Sequence, residues 1–177
     1  NANQKRPSSV AFNNDGTKMF VTGNHKAENP QSIHEYTLDT PFVITSGVTH
    51  VQEVQPDDLQ SDYVDGIVFN YDGTKMFITS GGESGGDNKI RQYKLTTAFS
   101  IATLSLEGTV ELSNYSGLGN GRETAFNSDG SKMFVIDQDA EVYEFDLTCS
   151  WSVIDGACDD PITTTDEGKD ILSSIES

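Results

Sequence analysis

An eleven-residue phrase occurs three times in this chain at a fixed spacing. It runs Ala11 to Val21, Val68 to Ile78 and Ala125 to Val135, and each copy carries Phe-Asn-x-Asp-Gly-(Thr/Ser)-Lys-Met-Phe. The aspartates fall at 15, 72 and 129, a period of 57 both times. A period that strict is the mark of a repeat architecture, in which each unit is one supersecondary element stacked on its neighbours. It also directs the search for function. Residues common to every repeat hold the repeats together, so chemistry is to be sought where the repeats differ.

Each unit reads as strands. A short apolar segment such as Ser9–Phe12 or Gly66–Phe69 leads into Asn-x-Asp-Gly and then Lys-Met-Phe-(Val/Ile). Asp-Gly between two β-prone runs predicts a hairpin, because glycine accepts the positive φ of a tight turn. An alternating run follows at Ile33–Leu38, Ile90–Leu95 and Val142–Leu147, as expected for a strand with one buried face. Next comes a turn with one aromatic, Phe42, Phe99 or Trp151, expected to close the apolar layer of its unit. Fourth strands are expected at Val48–Val54 and Leu104–Leu112. Four up-and-down strands per unit describe a β-propeller blade.

The expected fold is therefore all-β: three four-stranded antiparallel blades of about 57 residues, at 8–60, 61–115 and 116–162, then a polar tail at 163–177. The third unit is shortened and atypical. Its fourth strand is replaced by Gly156–Pro161, a departure common in terminal repeats. Propellers close with about four to eight blades, and an open stack leaves sheet faces and edges bare. The chain is thus expected to belong to a larger or oligomeric propeller.

Charge narrows the partners. There are 11 basic and 28 acidic residues, a net charge of −17. Such a surface repels phosphate backbones and anionic bilayers, so no nucleic acid is expected as a partner. No apolar run reaches the roughly 18 residues of a membrane span, and no signal-peptide pattern opens the chain. It begins Asn1-Ala2-Asn3 without Met, as a mature product or a piece of something longer would. Cys149 and Cys158 flank a turn-like Asp155-Gly156. A disulfide between them is the favoured reading, in an oxidising compartment, against two unrelated thiols.

The phrase Phe-Asn-x-Asp-Gly-Thr-Lys-Met-Phe-Val, followed by Ile-x-Glu-Tyr-x-Leu-x-Thr-Pro-Phe-x-Ile-Thr, resembles the Asp-Gly-Thr-Lys-Met-Phe/Tyr propeller repeats of large secreted, surface and phage-structural proteins. It is more distantly similar to lactonase-like and YVTN propellers. The likeness covers about residues 8–154. It implies a module for recognition or assembly located outside the cell, on a cell surface or on a virion, with a protein partner, further repeats or a second copy beside it. Propellers host binding, scaffolding and catalysis alike, so the activity has to be argued from the site.

Candidate sites follow from the differences between repeats. One Asp and one Asn per Asn-x-Asp-Gly turn are too few oxygens for a calcium loop, and both residues suit turns in their own right. Calcium is carried as a possible ligand; no other cofactor is expected. Lys18, Lys75 and Lys132 read as solvated strand positions, and His34 as a surface residue on the polar side of its strand. Aligning the repeats sets Ser8, Asp65 and Arg122 at one position and Ser9, Gly66 and Glu123 at the next. Non-repeated polar residues at repeated positions are where a site can be built. Asp62, Asp65, Arg122 and Glu123 are the binding-face candidates, with Asp65 and Glu123 as candidate metal ligands. Against this stands a plain solvated acidic loop over Asp57–Asp65. No catalytic motif appears, so a non-catalytic module is the leading reading and a lactonase-type hydrolase with a metal at the channel mouth the alternative.

Overall fold

The computed structural model describes residues 7–23, 31–59, 64–81 and 88–154. Three antiparallel meanders fill it. The first sheet holds β1 (Pro7–Phe12), β2 (Lys18–Gly23), β3 (Ser32–Leu38) and β4 (Val48–Val54) in that order. The second holds β5 (Val64–Phe69), β6 (Lys75–Ser80), β7 (Lys89–Leu95) and β8 (Leu104–Glu111). The third has β9 (Gly121–Phe126), β10 (Lys132–Asp137) and β11 (Val142–Asp146), with no fourth strand among the described residues. Two blades therefore match the four-stranded expectation, and the C-terminal one shows three strands among the described residues. Innermost strands lie side by side, β1 against β5 and β5 against β9.

The period-2 alternation of a strand supplies two faces, and stacking uses both. In β6, Met76 and Ile78 join the core against the first sheet, while Phe77 between them joins the core against the third. Phe20 of β2 stacks on Phe69 with ring centroids 4.6 Å apart, and Phe77 on Phe126 at 4.5 Å. Each apolar layer thus sits between two blades rather than inside one.

The repeated phrase builds the same turn three times. Asn13 Oδ1 accepts the Lys18 N–H at 2.8 Å and Asp15 Oδ1 the Thr17 N–H at 2.9 Å; Asn70 with Asp72 and Asn127 with Asp129 repeat the pair. The three aspartate carboxyls are held below their ordinary range, first by the hydroxyl of the residue two positions on and then by its N–H. Gly16, Gly73 and Gly130 take φ of 70°, 72° and 71°. Their carbonyls accept the N–H of Phe42, Phe99 and Trp151, each at 2.9 Å. Those aromatics are themselves left-handed, and their rings lie over the glycines. A Cβ on Gly73 would sit 2.2 Å from the Phe99 ring. The aromatic closes its own hairpin turn.

Two expectations need correcting. Lys18 and Lys75 are not merely solvated. Lys18 Nζ pairs with Glu35 at 2.8 Å and donates to Phe99 O of the next blade at 2.7 Å; Lys75 Nζ donates to Trp151 O at 2.9 Å. The ammonium bridges blades because the left-handed aromatic turn aims a carbonyl at it. His34 is fully buried. Its ring lies between Ser32 Oγ at 3.0 Å and His50 Nε2 at 3.1 Å, and burial pulls its pKa down. Polar alternation marks a face of β3; it does not mark solvent, because His50 and Tyr36 stand against that face.

The acidic entry to the second blade is also anchored. Asp58 lies 3.2 Å from the buried Arg91 Nε and accepts the Tyr93 hydroxyl, while Leu59 beside it enters the core. Asp62 and Cys158 lie outside the described residues; Cys149 is buried in the aromatic turn of the third unit.

Candidate functional site

The register of the innermost hairpin breaks at the same point in every blade. Against β2, β1 skips between Pro7 and Ser9; against β6, β5 skips between Val64 and Gly66; against β10, β9 pairs through Gly121 and Glu123. Ser8, Asp65 and Arg122 are thus the extra residues of three equivalent bulges. A bulge releases one side chain from the pleat and re-aims it. Ser9, Gly66 and Glu123 follow directly.

These side chains make one polar band across three sheets. Ser8 Oγ donates to Val64 O at 2.5 Å. Ser9 Oγ donates to Glu123 Oε2 at 3.2 Å and accepts the Ile67 N–H at 3.3 Å. Asp65 Oδ2 accepts the Gly81 N–H at 2.9 Å, and its Oδ1 lies 3.6 Å from Arg122 Nη1. Glu123 reaches from the third sheet to the first by crossing Gly66, where a Cβ would lie 2.7 Å from its Oε1. Glycine is the residue that opens this path.

Lost solvation pushes the Glu123 carboxyl up from its ordinary value, with the charge of Asp65 adding to it; the Ser9 hydroxyl and the Thr124 N–H oppose the shift. Arg122 and Asp65 stay partly exposed, with side chains 34% and 19% accessible. Screening by solvent makes such a pair worth little to the fold. The band offers a guanidinium and a carboxyl of raised proton affinity on β9 and a carboxylate on β5, at fixed positions on two neighbouring strands. Of the sequence candidates, Asp65, Arg122 and Glu123 come together; Asp62 is outside the described residues. Asp65 and Glu123 are each engaged by protein donors, and among the described residues no three His, Cys, Asp or Glu side chains converge as metal ligands.

The other end of the innermost strands holds a feature that local reading misses. A cavity of about 400 Å³ opens there, lined by Phe12, Phe69, Phe126, Asn14, Tyr71 and Trp151 among others. Tyr71 is 74% exposed, and Asn14 Nδ2 donates to its carbonyl. Asn14, Tyr71 and Ser128 are the x of Asn-x-Asp-Gly, a variable letter inside the repeated phrase. That variability is the signal that finds them.

No family model matches the chain, and no curated protein matches it. Solved structures do, as folds. A putative 6-phosphogluconolactonase from Bacteroides uniformis superposes with a TM-score of 0.58 at 12% identity, over 88% of this chain and 40% of its own. A chain of the Mitotic Checkpoint Complex gives 0.56 at 13%, over 83% and 39%. The Swd1 β-propeller domain of Myceliophteria thermophila gives 0.52 at 8%, over 80% and 40%. The chain has a partial propeller fold and spans about 40% of the length of these structures. No helix among the described residues is long and apolar enough to cross a membrane.

Proposed function

We infer that this chain is a non-catalytic propeller module that recognises a protein partner, or joins a larger structure, outside the cell or on a virion. One observation carries the reading. Residues shared by all repeats, the Asn-x-Asp-Gly turn and the lysine after it, maintain the turns and bridge blades, whereas two sets of non-repeated residues, Ser8/Asp65/Arg122 and Asn14/Tyr71/Ser128, lie at the two ends of the innermost strands. A surface varied on a fixed scaffold suits recognition. A structural neighbour belongs to a protein assembly, the Mitotic Checkpoint Complex, which supports that use of the fold. The net charge of −17 and a Cys149–Cys158 disulfide would both suit an extracellular medium.

A hydrolase of lactonase type, with a divalent metal held by Asp65 and Glu123, is the second reading. It draws on the closeness of the Asp65 and Glu123 carboxyls at one end of the innermost strands and on the lactonase-like neighbour. Metal analysis of the native protein separates the two. Recognition predicts no stoichiometric divalent cation and no turnover of sugar lactones. One tightly held cation per chain, lost in Asp65→Asn and Glu123→Gln, overturns the recognition reading.

A further inference from the structure

The two blade contacts within this chain are made by one set of positions. From the first sheet, Lys18 Nζ reaches Phe99 O at 2.7 Å, Glu35 Oε2 accepts the Ile101 N–H at 3.2 Å, and Phe20 stacks on Phe69. From the second, Lys75 Nζ reaches Trp151 O at 2.9 Å, Gln92 Oε1 accepts the Val153 N–H at 2.8 Å, and Phe77 stacks on Phe126. The forward half of this set occurs a third time on the third sheet, as Lys132, Glu144 and Phe134. Lys132 is already paired with Glu144, as Lys18 is with Glu35.

The receiving half occurs a third time on the first sheet, as Phe12, the Phe42 carbonyl and the Ile44 N–H. Phe12 and Phe42 are 5.5 Å apart, matching Phe69–Phe99 at 5.4 Å and Phe126–Trp151 at 5.0 Å. Both halves are open to solvent. Ile44 is 59% exposed, against 0% for Ile101 and 1% for Val153; Val10 is 54% exposed, against 3% for Ile67. On the third sheet Ile136 is 39% exposed, against 1% for the equivalent Thr79. Exposed apolar surface of this kind marks a contact site.

We propose that the third sheet of one copy docks on the first sheet of a second copy, head to tail. Lys132 Nζ donates to the carbonyl of the partner subunit's Phe42, and Glu144 accepts the N–H of the partner subunit's Ile44. Such a contact is heterologous, and it ends only when a ring closes. Two copies bring six blades, inside the usual range of about four to eight, whereas three copies would exceed it. The contact lies apart from Asp65 and Arg122, so its failure would leave the recognition reading standing.

Light scattering at about 0.15 M salt, where charges beyond roughly 8 Å are screened, tests this. The wild type is expected at twice the 19.2 kDa of one chain. Ile44→Asp and Lys132→Glu each give monomers that keep the far-ultraviolet signal of the sheet, with Ile44→Ser in reserve if Asp weakens the fold. Mixing the two variants restores a two-copy species, because one intact contact remains between them. A monodisperse wild-type monomer overturns the proposal. So does a dimer that Lys132→Glu leaves intact, which would mean head-to-head pairing.

Discussion

Gly73 combines two constraints that separate experimentally. Its φ of 72° costs an L-residue about 1–2 kcal/mol. A Cβ would also collide with the Phe99 ring 2.2 Å away. Gly73→Ala should lower the melting temperature by more than the backbone strain alone, and adding Phe99→Ala should cost less than the sum of the two changes. Strict additivity would show that the ring does not rest on the glycine. Ser9 gives a second residue-scale prediction. Its hydroxyl is the main group holding the raised Glu123 carboxyl down, so Ser9→Ala should raise that pKa further in an NMR titration. A carboxyl raised by the fold contributes stability that is present below its unfolded value, near 4.5, and lost as pH climbs through the folded value. Ser9→Ala should therefore destabilise more at pH 7 than at pH 4 in denaturant titrations. Equal losses at both would place Glu123 away from Ser9.

Between elements, the same residue type carries unequal weight. Lys75 bridges two blades, whereas Lys132 pairs with Glu144 and Asp146 on its own sheet. A hydrogen bond to a charged group contributes about 1.5–3 kcal/mol, whereas solvent screens an exposed ion pair until it contributes little. Lys75→Met should lower the unfolding midpoint more than Lys132→Met, both measured in the Ile44→Asp background to keep copies apart. Equal effects would remove the bridge. The hairpins, the alternating strands and the aromatic positions were legible in the sequence because their causes are local: Asp-Gly, period 2 and a single large ring. The bridges were not. Their acceptors are backbone carbonyls 81 and 76 positions away, and a carbonyl leaves no letter in the sequence. His34 misled for a related reason, since the covering ring of His50 comes from the neighbouring strand. Asp65, Arg122 and Glu123 stood out as differences between repeats, but the bulge that aims them shows only in the strand register.

Across the whole molecule, three sheets share two apolar layers, and the outer faces of the stack carry unmatched copies of the same contact. The bond from lysine to the aromatic-turn carbonyl always runs forward, from one blade to the next. It gives the stack a polarity, as in a column of bricks with pegs above and sockets below. Nothing in peg or socket counts blades. The tilt of each sheet on its neighbour decides how many fit before the last meets the first, so a substitution that alters the tilt while sparing every contact would turn a closed ring into an open coil.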